Sequence, residues 1–522
     1  MRRFTSFVLA ALAALAWMPA PAGAQLVGDD VVPPDTLLAR KLLETPGQAL
    51  LLQDAIDLAF QNGTDARLAE AIAATARGEL RREKGVFDPE LFADAERRND
   101  TTRPTSPFEG VDKLELDTRT LLTGVRTTLP FGTELEAALE TAKSSTNATF
   151  ATVNPQYDTE GVLSVRQPLL RGLGPGTREN LSAAERGLES AEATRIELLL
   201  GLRADVEIAY WDLYAAWRTH AVQLLLVERA RSVIDEAQAQ VGMGLVGPNA
   251  IENARVFAAQ QELAALDTEE QMDAISDRLA SLLGVRPTTA VRYRPVDTPP
   301  QDLAVENEAE VVAEAMRVNP AIRASERAWA VQLELARGAH WNALPGLDLT
   351  GQLGGTGLAG TGRDVELNGV VFPSSIDGDF SDTMDQVFGG DFPLWAVGLE
   401  LSYPIGRREG LGERDRLRAV AAQFEHQLDA QRRALEEVVR ARAREVNHGA
   451  RRLAIAQEGV AAAAELVRIG IIEYRSGRTT AFELVRLASD YASAQDQLSR
   501  ALVRTAKADA ALRELTAAEV PQ

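Results

Sequence analysis

Few side chains in this chain of 522 residues could do chemistry, and their spacing argues against most of it. There is no cysteine, so thiolate nucleophiles, thiolate metal sites, disulfides and a lipidated N-terminal cysteine are all excluded. The four histidines, His220, His340, His426 and His448, lack metal-ligand spacing. His426 and His448 lie far apart along one predicted helix, and His220 reads as a packed or water-facing member of a helical seam. Gly355-Thr-Gly357-Leu-Ala-Gly360 matches G-x-G-x-x-G, but a dinucleotide site needs a helix next and an acidic residue after a second strand. Polar, glycine-rich sequence continues instead, which predicts a flexible loop. No phosphate loop ending in Gly-Lys-Ser/Thr occurs. The many Asp and Glu residues fall on helical stretches with Arg at i,i+4, the pattern of a solvated coiled-coil face. A catalytic pair would need a pocket that shifts its pKa values, and nothing in the sequence implies one. Tyr210, Trp211, Tyr214 and Trp217 cluster on one predicted helix, where core or inter-subunit packing is the default role. No catalytic, cofactor-binding or metal-binding residue is predicted, and no coherent constellation supports an enzyme.

The bulk properties narrow the remaining classes. A formal net charge of −21 argues against nucleic acid, whose phosphates need a basic surface. Arg2 and Arg3, an uncharged Ala/Leu-rich core over 7–17, and Ala22-Gly23-Ala24 before Gln25 form a secretory signal peptide, 1–24. No later stretch gives about 18 uncharged apolar residues, so no transmembrane helix is predicted. A membrane-spanning part would have to be strands in a closed barrel, where every backbone group is satisfied.

The elements that could position anything are long helices, and they come in two copies. From Thr177 to Met243 an apolar seam recurs every seven residues at Leu199, Val206, Leu213, Val227, Ile234 and Val241, interrupted by His220. Three residues after these lie Leu202, Ala209, Ala216, Ala230 and Ala237, with Gln223 the exception. The same seam returns 233 residues later, without a gap, as Val439, Val446, Leu453, Val460, Val467 and Tyr474. Its companion row holds Leu435, Gly449, Ala456, Ala463 and Gly470, broken by Arg442. Each seam ends at glycine, in Gly242-Met-Gly244-Leu-Val-Gly247-Pro248 and in Tyr474-Arg-Ser-Gly477-Arg-Thr-Thr480. Return helices follow, with seams at Ile251, Ala258, Ala265, Met272 and Leu279, and at Leu484, Tyr491, Leu498 and Leu512, Thr505 being polar. The outgoing helices, about 65 to 70 residues at 1.5 Å rise, would reach about 100 Å. The returns span about half of that, so shorter helices at 50–84 and 311–340 are the candidates to complete the antiparallel partner. Small seam residues let helices approach closely and suit a curved wall of many helices.

Strand-like segments lie between the helices of each half: 87–98, 121–129, 134–142 and 161–169 in the first, 347–353 and 397–403 in the second. Leu347-Asp-Leu349-Thr-Gly-Gln-Leu353 and Val397-Gly-Leu399-Glu-Leu401-Ser-Tyr403 alternate with period two, which fits a barrel strand or a half-buried soluble hairpin. Polar segments 101–116 and 354–391 read as external loops, and proline-rich 286–307 as a linker. The predicted organisation is an N-terminal extension 25–47, repeat 1 over 48–285, the linker 286–307 and repeat 2 over 308–517. Within repeat 1 the barrel strands occupy about 87–169, the long helix 177–243 and the return helix 248–284. Within repeat 2 they occupy about 345–404, 409–476 and 480–516.

Duplicated helix–strand–strand–helix with glycine-marked tips resembles the TolC-type outer-membrane efflux proteins over nearly the whole mature chain. The specific matches are Gln167-Pro168-Leu-Leu-Arg171-Gly172 at the strand-to-helix junction, Ala209-Tyr210-Trp211-Asp212-Leu213 in the first long helix, and Gly244-Leu-Val at its tip. Gly244 through Ile251-Glu-Asn253-Ala254-Arg255, and Phe87-Asp88-Pro89, are further points of similarity. The resemblance implies a mainly α fold with a β-barrel portion: long antiparallel coiled-coil helices in an α-barrel, plus transmembrane strands. It implies a homotrimer, each copy giving four strands to a twelve-stranded barrel in outer-membrane lipid, with the helices in the periplasm. It further implies a passive duct that meets a periplasmic adaptor (a membrane fusion protein) and an inner-membrane transporter of the RND, ABC or MFS type, in tripartite efflux or type I secretion.

The family's residues carry over to the helix tips. Tyr474, Arg478, Thr479, Glu483, Asn249 and Ala250 are the implied periplasmic aperture, and Gly244, Leu245, Val246 and Gly477 the implied adaptor-contacting tips. Two departures stand out. Ala250 occupies a position where the family often carries Asp, so a charged constriction would draw on Tyr474, Arg478 and Glu483. The 121–142 hairpin is extra, and it could join the barrel or fold outside it. The alternative class is a soluble periplasmic coiled-coil adaptor or scaffold, which usually has one helical hairpin rather than a duplicated one.

Overall fold

The structure, a computed structural model, describes residues 34–105, 109–244, 246–305, 307–367, 369–476 and 478–517. The predicted signal peptide lies outside these residues. The first half runs α1 (Pro34–Glu44), β1 (Gln48–Leu50), α2 (Leu52–Asn62), α3 (Thr64–Gly85), β2 (Glu90–Thr102), β3 (Leu114–Thr128), β4 (Glu134–Thr146), β5 (Val153–Pro168), α4 (Glu179–Gly242) and α5 (Asn249–Leu283). Then come β6 (Tyr293–Pro295), α6 (Glu308–Val318), α7 (Pro320–Asn342), β7 (Gly346–Gly362), β8 (Val365–Leu367), β9 (Val370–Phe372), α8 (Phe380–Gly389), β10 (Pro393–Ser402), α9 (Arg408–Arg475) and α10 (Ala481–Leu515).

The long helices are rods. α4 has 64 residues and α9 has 68, which at 1.5 Å per residue is about 96 Å and about 102 Å. Neither could stand alone, because helices of this composition draw most of their stability from packing. α4 is flanked by α5 and α10 along its tip half, and by α3 and α7 along its sheet half. α9 lies against α10 in the one half and α6 and α7 in the other. The short helices predicted as single runs are each split in two. Gly63 separates α2 from α3, where a side chain would run into the Ala59 carbonyl. Asn319-Pro320 separates α6 from α7: Asn319 caps by accepting from the Ile322 amide, and Pro320 takes the first turn, where no N–H is needed. α5 stops at Gly284, whose φ of +69° is the left-handed cap that glycine adopts without strain.

The seam predicted from the heptads is the core. Val206, Leu213, Val227, Val439, Val446, Met272 and Leu279 are buried, each contributing about 1.5–3 kcal/mol relative to exposure. The aromatic cluster joins them, with Tyr210, Trp211 and Trp217 buried. A polar seam ties the two repeats where α4 meets α10. Arg218 donates to Ser499 Oγ and Gln495 Oε1 at 3.0 Å, Thr219 to Asp496 at 2.9 Å, and Lys507 pairs with Asp212 at 2.8 Å.

The stretch 286–307, predicted as a bare linker, contributes a strand. β6 pairs in parallel with β1, and this small sheet lies against α4. Tyr210 fastens it. Its hydroxyl accepts from the Val296 and Asp297 amides at 3.0 and 3.1 Å, and its proton reaches the Leu50 carbonyl or Asp297 Oδ2, each at 2.9 Å. Asp297 Oδ2 also accepts from the Leu52 amide at 2.7 Å, satisfying an orphan donor at the start of α2.

His220, the polar interruption of the seam, is buried and bonded to Thr268 Oγ1 of α5 at 3.0 Å. Burial is the main cause that lowers its pKa below the ordinary 6.5, against the opposing pull of Glu269.

Two stability measurements follow from these contacts. Tyr210→Phe strips the hydroxyl that the Val296 and Asp297 amides use. It is expected to cost about 1–3 kcal/mol, seen as a lowered unfolding midpoint with unchanged helical content; an unchanged midpoint would contradict the role. For His220 the sign is acid-sensitive. Below about pH 6.5 the unfolded chain takes up a proton that the fold refuses, so stability falls until the lower folded pKa is passed. His220→Gln, which can still bond Thr268, should lose less thermal stability than the wild type between about pH 7.5 and about pH 5.5. Equal losses would contradict the assignment.

Candidate functional site

The long strands build one continuous surface. β2, β3, β4, β5, β7 and β10 form one antiparallel sheet in the order β10-β7-β5-β4-β3-β2. Residues directly opposite one another share a face, so the register sorts every side chain. One face reads Leu91, Ala93 and Ala95 on β2, then Leu121 and Val125 on β3, and Leu135, Ala137 and Leu139 on β4. It continues with Leu163 and Val165 on β5, Leu347, Leu349 and Leu353 on β7, and Trp395, Val397, Leu399 and Leu401 on β10. Most of these are exposed, Leu91 at 81% and Trp395 at 74%. A contiguous exposed apolar surface of this kind marks a contact with membrane or with another protein.

The opposite face is largely polar: Glu90, Asp94, Glu96, Thr118, Thr120, Arg126, Glu134, Glu136, Glu140, Ser164, Arg166, Asp348, Gln352 and Glu400. Phe92, Leu116, Leu122, Ala138, Val162, Leu358 and Leu394 are among its apolar members. Cross-strand ion pairs knit it, Glu90 to Arg126 at 2.7 Å and Arg166 to Asp348 at 2.8 Å. Beyond the apolar rows, at the ends away from the helices, the first face turns charged and aromatic. Arg97 pairs with Asp117 at 3.0 Å, and Lys143 lies 5.0 Å over the Tyr157 ring. One apolar face, one polar face and a charged, aromatic far end are the pattern of strands suited to a membrane barrel.

The glycine motif sits here, which corrects the loop reading. Gly355, Gly357 and Gly360 lie in β7, which runs on to Gly362, and 354–391 also holds β8, β9 and α8. The cause is α8 packing on the outer ends of β5 and β7. A Cβ at Gly355 would lie 3.0 Å from the Val387 carbonyl oxygen, and one at Gly357 would meet the Thr383 carbonyl. Thr159 and Thr383 hydroxyls bond across this contact at 2.7 Å, both buried. Local propensity read as loop because these positions are selected for close approach, not for strand preference.

At the far end of the rods lie the tips. Gly244 takes φ +76° after α4, its amide donating to the Val241 carbonyl at 3.0 Å. Val246 and Asn249 are exposed and Ala250 is half-buried, with Asn249 opening α5. At the second tip, Thr480 caps α10 by accepting from the Glu483 amide at 3.3 Å. Arg478 is exposed, its Nε donating to Ser476 Oγ at 2.9 Å, and Thr479 is half-buried. Glu483 pairs with Arg486 at 2.6 Å, and that hydrogen bond holds its carboxyl below the ordinary range. The two tips adjoin, because Val485 of α10 packs with Val233, Ala237 and Ala254. Leu245 and Gly477 lie outside the described residues, and of Tyr474 only the helical backbone is described.

Sequence reasoning missed Glu207, which reads as one more solvated helix carboxylate. It is 2% exposed and sits between Arg203 of α4, at 3.1 Å, and Arg513 of α10, at 2.6 Å. Its position one residue after seam residue Val206 was the available signal. Among the described residues no group of three or more His, Asp and Glu could hold a metal ion. Among them, too, no helix is long and apolar enough to cross a membrane.

Comparison with known proteins agrees with this geometry. Residues 311–518 match the model of the outer membrane efflux protein family. No curated protein sequence matches the chain. Among solved structures, the outer-membrane channel OprN is similar at 18% identity and TM-score 0.63, covering 94% of each chain. The CmeC outer membrane channel of Campylobacter jejuni is similar at 15% identity and TM-score 0.64, over 89% of this chain and 85% of that one. The outer membrane protein VceC of Vibrio cholerae is similar at 15% identity and TM-score 0.61, over 89% and 95%. The second repeat thus matches the outer membrane efflux protein family's model, and the fold across both repeats is similar to that of these channels.

Proposed function

We propose that three copies of this chain form a continuous passive duct, a barrel in the outer membrane standing on a helical cylinder in the periplasm. Efflux through an outer-membrane channel is the work of the family. The observation that carries the fuller reading is the unfinished state of a single copy. Along the rods, the contacts run from α5 through α4 and α10 to α9. The two outer members of this row keep exposed apolar side chains: Val256, Leu263 and Leu266 on α5, Ile455, Leu466 and Ile469 on α9. A neighbouring copy would cover both flanks at once, in the heterologous, ring-closing manner of a cyclic oligomer.

The tips are the proposed periplasmic end. Asn249, Ala250, Tyr474, Arg478, Thr479 and Glu483 would ring the aperture, and Gly244, Leu245, Val246 and Gly477 would face an adaptor protein. An inner-membrane transporter would supply the energy. The proposed domain division is two repeats, 48–285 and 308–517, joined by 286–307. A soluble adaptor does not fit a sheet whose one face is a broad exposed apolar surface.

The purified protein in a planar lipid bilayer tests this reading. It should conduct, and Arg478→Ala or Glu483→Gln should raise the closed-state conductance several-fold by loosening the tip. A water-soluble monomer that passes no current would overturn the duct; conduction insensitive to both substitutions would overturn the aperture assignment.

A further inference from the structure

We infer that all six long strands of each copy enter the membrane wall, so that three copies close a barrel of eighteen strands rather than the twelve implied by the family resemblance. The inference rests on the trimeric duct proposed above and concerns how its membrane end is built.

The first support is the pairing. β3 and β4, the extra hairpin, are not appended to the sheet but intercalated in it, β3 between β2 and β4, and β4 between β3 and β5. β5 already uses both edges, against β4 and β7, so it has no edge left for β2. A four-strand contribution would require breaking a paired ladder.

The second is the continuity of the faces. Leu121 and Val125 of β3, and Leu135, Ala137 and Leu139 of β4, lie in register with the apolar rows of β2, β5, β7 and β10. Their alternate residues, Thr118, Thr120, Glu134, Glu136 and Glu140, fall on the polar face. A hairpin folded out of the sheet would not hold its apolar side chains in register with those of β2 and β5. β3 and β4 have 15 and 13 residues, enough for a tilted membrane strand, which needs about 9–11.

The third is the position of the free edges. β2 follows α3 and β10 precedes α9, so the sheet ends on the same two flanks as the helical wall. β2 and β10 each leave one ladder edge unpaired within the copy. In hydrocarbon such an edge must find a partner, and β10 of one copy reaching β2 of the next satisfies both.

The girths also agree. Four rods abreast per copy give a ring of twelve helices, about 100–120 Å around at about 8–10 Å spacing. Eighteen strands about 4.8 Å apart and tilted about 40° give about 110 Å, whereas twelve give only about 75 Å. The wider barrel has a bore about one and a half times that of a twelve-stranded one.

Electron cryomicroscopy of the full protein in lipid nanodiscs counts the strands directly. Three copies with eighteen strands and β10 against the next copy's β2 is the expected result. Three copies with twelve strands and the hairpin outside would overturn this inference alone. A monomer would overturn the duct reading beneath it. A biochemical check uses the absence of native cysteine. Double variants pairing Ala93→Cys or Ala95→Cys with Val397→Cys or Leu399→Cys should, in at least one register, shift the oxidised monomer band to a covalent trimer on denaturing gels. No shift in any register, with trimers still present under native conditions, would count against the β10–β2 seam.

Discussion

The rest of the structure depends on one constraint: a sheet that meets hydrocarbon on one face must satisfy every backbone group by itself. Water cannot complete a ladder there, so an open edge costs several kcal/mol per unpaired group. This explains why the apolar rows run unbroken from β2 to β10, why the charged side chains within that band point to the other face, and why a single copy looks unfinished. The polar face carries its own solution. The Glu90–Arg126 and Arg166–Asp348 pairs keep charge on that face and cross-link adjacent strands.

The helices answer a different problem, that of keeping rods about 100 Å long packed side by side. Small residues on the companion row, such as Ala209, Ala230 and Ala237, let the rods lie close, and large seam residues fill the space between them. The two repeats are joined by polar contacts between α4 and α10, including the buried Glu207 between two arginines. Buried ion pairs contribute little net stability but are costly to mispair, which suits a contact that must fix the register of one long rod against another. Tyr210 does the same for the small β1–β6 sheet, which belts the rods partway along their length.

Much of this was legible in the sequence because it is periodic. The seven-residue seams, their repetition 233 residues apart and the glycine-marked tips are statements about spacing, and spacing survives without coordinates. The period-two run 347–353 falls within β7, and 397–403 overlaps β10 up to its last residue, Ser402, for the same reason. What was hidden depends on contacts between distant segments. Gly355 and Gly357 read as loop because only the docking of α8 explains glycine within a strand. The β6 strand is three residues of a proline-rich stretch whose partner lies more than two hundred residues away. Glu207 cannot be told from its solvated neighbours until α10 is laid against it. At the tips the residue types were readable, but spacing alone does not divide Arg486 between Glu483 and Asp490, both within its reach.

The central claim is that the apolar face of this sheet meets lipid and the alternate face meets water. Because the chain has no cysteine, single cysteines can be placed at each position of 394–401 in turn, labelled with a small fluorophore and exposed to brominated lipid. Strong quenching at 395, 397, 399 and 401, with little at 394, 396, 398 and 400, is the result this account requires. Quenching without alternation, or none along the whole strand, would contradict it.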